Sequence, residues 1–130
     1  MIGPQLRKLI KPTPKNLVSQ VDKGFGKVDF IGHYDIIQML LYHLEAPFSW
    51  SVGEPFPSGD DKEPVGIVGV LVLNIDGQEY SVAGVGSDKD AKKAESDALK
   101  RAAMKAGLGL ELWAQEHYWL NTQIEKDMEV

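Results

Sequence analysis

From His33 to Leu44 the apolar residues Ile36, Ile37, Leu40, Leu41 and Leu44 recur at helical spacing, so the pattern predicts one amphipathic helix. Pro47 closes that stretch, because proline removes a backbone donor and disfavours helix in the residue before it. Phe48, Trp50 and Val52 then alternate with serines, which predicts a strand with all three on one buried face. Two longer apolar runs, Val65–Ile75 and Gln78–Val85, flank Asp76-Gly77. That dipeptide suits a type I′ turn, whose two central positions both need positive φ, so a hairpin is predicted. The first hairpin strand is apolar on both faces: Val65, Ile67, Leu71, Leu73 and Ile75 on one, Val68, Val70 and Val72 on the other. Such a strand needs cover on both sides, from helices on one and a neighbouring subunit on the other.

The remaining segments carry weaker periodicity. Pro4, Pro12 and Pro14 argue against a long opening helix before Thr13, although Pro14 could open a short one over about Pro14–Val21. Gly24-Phe25-Gly26 reads as a flexible turn, and Lys27–Ile31 (KVDFI) as a short strand. Residues 53–64, rich in proline and glycine, read as a loop. Ser87-Asp-Lys-Asp90 is a variant capping box that should open a helix running to about Ala106, where Gly107 supplies the stop. Leu110, Trp113, His117, Leu120 and Ile124 stand at heptad spacing, predicting a last helix over Leu110–Met128. The expected fold is α+β: a β-α-β-β-β-α core, an antiparallel sheet packed against a long helix, and extra terminal helical segments in a single domain spanning 1–130.

Composition narrows the class. The 130 residues include no cysteine, so disulfides and thiolate sites are impossible. The opening MIGPQLRKLIKP has no signal-peptide core, and no run of about 18 apolar residues could span a membrane. A soluble cytoplasmic protein with no membrane partner is expected. Net charge is −5, which by itself argues against a nucleic-acid partner, but its distribution is polar. Across residues 1–27, Arg7, Lys8, Lys11, Lys15, Lys23 and Lys27 face Asp22 alone. In the last twenty residues Glu111, Glu116, Glu125, Asp127 and Glu129 face Lys126 alone. The expectation is a basic arm over about 1–26 and an acidic helix over about 110–130, either a binding surface or simply a solvated one.

The helix predicted over 88–106 carries the most suggestive chemistry. Its alanines 91, 94, 98, 102, 103 and 106 sweep one broad face with Leu99, small enough to lie close against a sheet. Lys89, Lys93 and Lys100 cluster within about 40° on the opposite face, with Arg101 at their border and Lys92 and Lys105 to either flank. A row of this kind can track phosphates, and Arg can also stack on bases; an ordinary solvated face has the same pattern. His33, His43 and His117 lie apart without carboxylates at ligand spacing, and the Gly-x-Gly pairs lack a Walker pattern. Gly84 and Gly86 are read instead as permitting close packing at the strand-to-helix junction. Glu95 projects onto the apolar face, as a subunit contact or an internal ion pair. No paired carboxylates, Ser-His-Asp set or metal cluster suggests catalysis, so no enzyme, cofactor or metal is expected.

The landmarks KVDFIGH, FSW (48–50), the Asp-Gly hairpin, GVG (84–86) and KKAESDALKRAAMKAG, in that order after a basic N-terminal segment, resemble the N-terminal domain of the Rad fifty-two family of single-strand annealing proteins, phage members included. The resemblance covers about residues 5–112, and its most specific part is Asp97–Ala102 followed by Gly107. It implies a ring-forming homo-oligomer with a basic groove, binding single-stranded DNA and annealing complementary strands without ATP in recombination and repair. It further implies that Lys100 and Arg101 grip the DNA backbone. Where the family carries further Arg residues, this chain has Met104, with Lys105 adjacent, and Tyr34, which could stack on a base; Lys23, Lys27 and Lys93 are the other candidates for DNA contact. The family's long C-terminal region for recombinase and single-strand-binding partners has no counterpart in these residues, so an annealing core is expected, with a single-strand-binding protein as a further candidate partner. Two other readings stay open: a double-stranded RNA-binding-type module, since VGSDKDAKKAESDALKRAA also resembles the lysine-opened helix of those domains, and a structural protein that uses the fold without binding DNA.

Overall fold

The computed structural model describes residues 2–57 and 65–128. In chain order these form helix α1 (Pro4–Leu9), a 3-10 turn (Lys15–Leu17), strands β1 (Val18–Asp22) and β2 (Lys27–Ile31), helix α2 (His33–Leu44), strands β3 (Ser49–Val52), β4 (Phe56–Pro57), β5 (Val65–Ile75) and β6 (Gln78–Asp88), helix α3 (Ala91–Lys105), helix α4 (Leu110–Ala114), a second 3-10 turn (Gln115–His117) and helix α5 (Leu120–Met128). The architecture is α+β with antiparallel sheets. Of the expected loop over 53–64, Phe56–Pro57 pair with β5, and residues 58–64 lie outside the described residues.

The main sheet is organised around β5. Strand β6 pairs along its whole length, and β3 and β4 pair with successive stretches of its other edge. Asp76 (φ 52) and Gly77 (φ 85) turn the hairpin with the two positive φ values that a type I′ turn requires. The inward residues Ile67, Leu71, Leu73 and Ile75 are buried, and α3 covers them with its alanine face. That approach depends on Gly84 and Gly86 of β6. A Cβ at Gly84 would overlap the Ala98 carbonyl oxygen, and one at Gly86 the Ala94 carbonyl. Trp50 lies over Gly69, and its indole Nε1 donates to Glu95 at 3.3 Å. This explains why a carboxylate sits on the apolar side of α3: it is an acceptor for a half-buried tryptophan, and among the described residues it has no ion-pair partner. On the outward face Val68, Val70 and Val85 are exposed. Helices cover one side of the hairpin, as expected, and among the described residues the other side is open.

Several expected elements take a different form. The short helix over Pro14–Val21 is one 3-10 turn followed by β1, whose Val18 and Val21 pair with Ile31 and Val28. Eight residues cannot sustain a helix alone, and β-branched residues facing an alternating partner gain more as a strand. Consequently KVDFI does not join the main sheet but forms a separate two-stranded hairpin with β1. Before Thr13 there is no long helix, as expected, only the six-residue α1, with Pro4 in its first turn. Its N-terminal donors are met from afar: Gln5 N and Leu6 N donate to the Asp76 carboxylate at 2.8 and 3.2 Å, and Asp76 N donates back to Gln5 Oε1 at 2.6 Å.

Helix α2 stops at Leu44 because Glu45 turns left-handed (φ 56), two residues before Pro47. Phe48 and Trp50 pack partly into the core, but Val52 is exposed at the strand's end, opposite Gly69, which has no side chain to cover it. The cap of α3 is Asp90, accepting from Lys92 N at 2.9 Å, rather than Ser87. Ser87 and Asp88 are held in β6 by pairing with Gly66 and Val65. Gly107 (φ 105) ends the helix as expected: Leu108 N bonds Ala103 O, and Gly107 N bonds Met104 O. The heptad over Leu110–Met128 is broken at Gln115 (φ 51), and His117 is exposed. The break lets α5 return along α1, where the Tyr118 hydroxyl donates to Ile10 O and Arg7 reaches Asn121 Oδ1 at 2.8 Å.

Two outcomes are expected. Gly84→Ala should cost about 3 kcal/mol, because the added methyl meets helix backbone that cannot move aside; urea unfolding measures it. On α2, His43 Nδ1 is buried without a hydrogen-bond partner among the described residues, and burial, aided by the Lys8 charge, lowers the imidazole pKa below its ordinary value of 6.5. The folded chain therefore binds this proton less tightly than the unfolded chain does. The stabilising contribution is complete above about pH 6.5 and is lost as pH falls through the range below it. His43→Leu should flatten that part of the stability–pH curve, measured by thermal melts between about pH 7.5 and 5.5.

Candidate nucleic-acid interface

Because α3 spends its alanine face on the sheet, its opposite side meets β2 and α4. Strand β2 lines this side through Val28, Asp29, Phe30 and Ile31, and Lys100 Nζ lies 5.2 Å from the Phe30 ring centroid. Past the end of α3, Gly107 and Gly109 (φ 74) turn the chain so that α4 runs back beside it. This places Trp113 beneath Arg101, whose guanidinium carbon is 4.7 Å from the indole centroid. Arg101 Nε also donates to Asp97 Oδ2 at 3.1 Å, one turn earlier, and the same oxygen accepts from Ser87 N at 3.3 Å. Between these walls is a cleft of about 320 Å³, lined among others by Val28, Phe30, Asp97, Lys100, Leu112 and Trp113.

The electrostatics of the two cations differ. Lys100 is half-buried, and desolvation lowers its pKa from the ordinary lysine value, with Asp97 opposing the shift. Its ammonium is therefore under-solvated and gains from any anion that enters. Arg101 is more open and already shares a carboxylate. A cation on an aromatic face keeps its charge while losing rotamer freedom, so both groups are held in place as charged donors. At the start of α2, the His33 ring, through Nδ1, is hydrogen-bonded to Ser96 Oγ at 3.1 Å. This fixes the α2 terminus against α3 and leaves Tyr34 78% exposed beside the His33 ring.

Of the residues singled out from sequence, Lys100 and Arg101 stand together at the cleft. Lys93 is exposed two turns earlier on the same helix. Lys23 and Lys27 flank the turn of the β1–β2 hairpin, and β2 itself is a wall of the cleft. Lys105 lines a different cavity, with Leu6, Ile75, Asp76 and Tyr80. The basic N-terminal segment is not wholly free: Arg7 pairs with Glu125 at 3.4 Å, and Thr13 N donates to Glu111 at 2.6 Å. Part of the charge polarity is thus neutralised inside the molecule. Sequence reasoning missed Phe30, Trp113 and Asp97. Phe30 was visible in the alternation of KVDFI; Trp113 was hidden by a heptad that the fold interrupts.

No protein-family model matches the chain, and no curated protein matches it in sequence. No helix among the described residues is long and apolar enough to cross a membrane.

Since burial penalises the Lys100 charge, Lys100→Met should leave the melting temperature unchanged or slightly raised. A clear loss of stability, measured by circular dichroism melts, would instead make Lys100 a structural residue.

Proposed function

We propose that this chain binds single-stranded DNA in the cleft between the β1–β2 hairpin and helices α3 and α4, and anneals complementary strands without a nucleotide cofactor, in a bacterial or phage-infected cytosol. The observation that carries the reading is the pairing of two adjacent cations with two aromatic faces that line one open cleft, Lys100 on Phe30 inside it and Arg101 on Trp113 at its edge. Phosphate contacts of this type give sequence-independent, salt-sensitive affinity. They leave the bases free, so that Watson–Crick pairing selects the partner strand. Lys93, Lys23, Lys27 and Tyr34 extend the contact beyond the cleft.

One subunit offers few phosphate contacts, and the reading includes self-association into a ring or similar oligomer that repeats them along a strand. The open outward face of the sheet, with Val68, Val70 and Val85 exposed, supports it, since contiguous apolar surface marks interaction sites. A second reading, a double-stranded RNA-binding-type module, is favoured by the succession of α2, three paired strands (β3, β5, β6) and then α3, which opens with Lys92 and Lys93. Such modules read phosphates across A-form grooves by shape.

Lys100→Ala combined with Arg101→Ala should weaken binding to single-stranded DNA at least tenfold and slow annealing, with the oligomer unchanged by light scattering. The slope of log affinity against log salt should fall by roughly 1.4, the value for two lost contacts on a single strand. Unchanged affinity in the double variant would sink the site assignment, and tighter binding of A-form duplex RNA than of single-stranded DNA would favour the second reading.

A further inference from the structure

The turn of the β1–β2 hairpin reads Lys23-Gly24-Phe25-Gly26-Lys27, an aromatic residue framed by glycines and then by lysines. Phe25 is 85% exposed, more than any other large apolar side chain described. Both glycines have positive φ (86 and 145), and a Cβ on either would meet nothing within 4 Å. They serve the backbone path of a tip that stands clear of the domain, not packing against it. The tip is nonetheless ordered by hydrogen bonds: Gly24 N donates to the Asp22 carboxylate at 2.8 Å, and Lys23 N to Gly26 O at 3.0 Å. Neither lysine has a carboxylate within ion-pair distance among the described residues. From this tip β2 runs directly into the cleft, and Lys27 stands three residues, about 10 Å, from Phe30.

We infer that Phe25 stacks on a base of the strand held at Lys100 and Arg101, while Lys23 and Lys27 take the phosphates on either side. This rests on the single-strand reading above and adds a selectivity element to it. An aromatic ring on a hydrogen-bonded tip finds an open base face only where the strand is unpaired, whereas the cleft cations meet phosphates in any strand. Phe25 therefore makes the site prefer bases that are free to pair, which annealing requires. Stacking of one base is sequence-tolerant, because every base has a π-face.

The test measures fluorescence anisotropy of labelled oligothymidylate, an abasic strand of equal length and a duplex of equal length, with the wild-type chain, Phe25→Ala and Phe25→Trp. The wild type should prefer oligothymidylate over the abasic strand by about tenfold. Phe25→Ala should bind both at the abasic level with the salt slope unchanged, and Phe25→Trp should restore the preference. If Phe25→Ala binds oligothymidylate as tightly as the wild type, the stacking role is overturned while the cleft assignment stands. If the wild type binds no single strand, both are overturned. A parallel arm uses phosphatidylglycerol vesicles; vesicle binding that depends on Phe25, with DNA affinity untouched, would make the tip a membrane contact and overturn the inference.

Discussion

The close contact between the alanine face of α3 and the two glycines of β6 is the constraint on which the molecule depends. Gly84 and Gly86 let helix backbone approach strand backbone where any side chain would hold them apart. Only at that separation do Ala94, Ala98 and Ala102 fill the interface completely, each with no exposed surface. The contact also fixes the rotation of α3 about its own axis. With the alanines turned inward, Lys100 and Arg101 are directed toward β2 and α4, and their aromatic partners come from those two elements.

Much of this was legible in the sequence, for definable reasons. The β5–β6 hairpin was marked by Asp76-Gly77 between alternating apolar residues, and the span of α2 by its periodicity. Gly107 announced the end of α3, and the small-residue face announced close packing. What was not legible depended on partners distant in the chain. Val18–Asp22 becomes a strand because KVDFI lies opposite it, and nothing within 18–22 requires that. The cap moved from Ser87 to Asp90 because pairing with Val65 and Gly66 draws β6 onward. The heptad after Leu110 was a genuine spacing without a continuous helix beneath it, since Tyr118 and Asn121 find their partners on the N-terminal segment. The lysines of α3 could be placed on a face, but the rings beneath Lys100 and Arg101 come from other elements.

The charge polarity of the chain also changes meaning in three dimensions. Read linearly, a basic beginning and an acidic end suggest an arm and a counterweight. Folded, Arg7 lies with Asn121 and Glu125, and Glu111 receives the Thr13 amide. Pairs of this kind contribute modestly when exposed. They occupy Arg7 alone among the N-terminal cations; Lys8, Lys11, Lys15, Lys23 and Lys27 have no ion-pair partner among the described residues, so a protein of net charge −5 still carries patches of unpaired basic charge.

The carboxylate of Asp76 ties the opening helix to a turn about seventy residues later in the chain. A six-residue helix has too few internal hydrogen bonds to persist alone. The β5–β6 hairpin closes through two residues, whereas α1 depends on distant partners: the turn for its first donors, the core for Leu6 and Leu9, and Asn121 for Arg7. Asp76 therefore couples two segments far apart in the chain: when the hairpin turn opens, α1 loses the acceptor for its first donors, so the two open together in local unfolding.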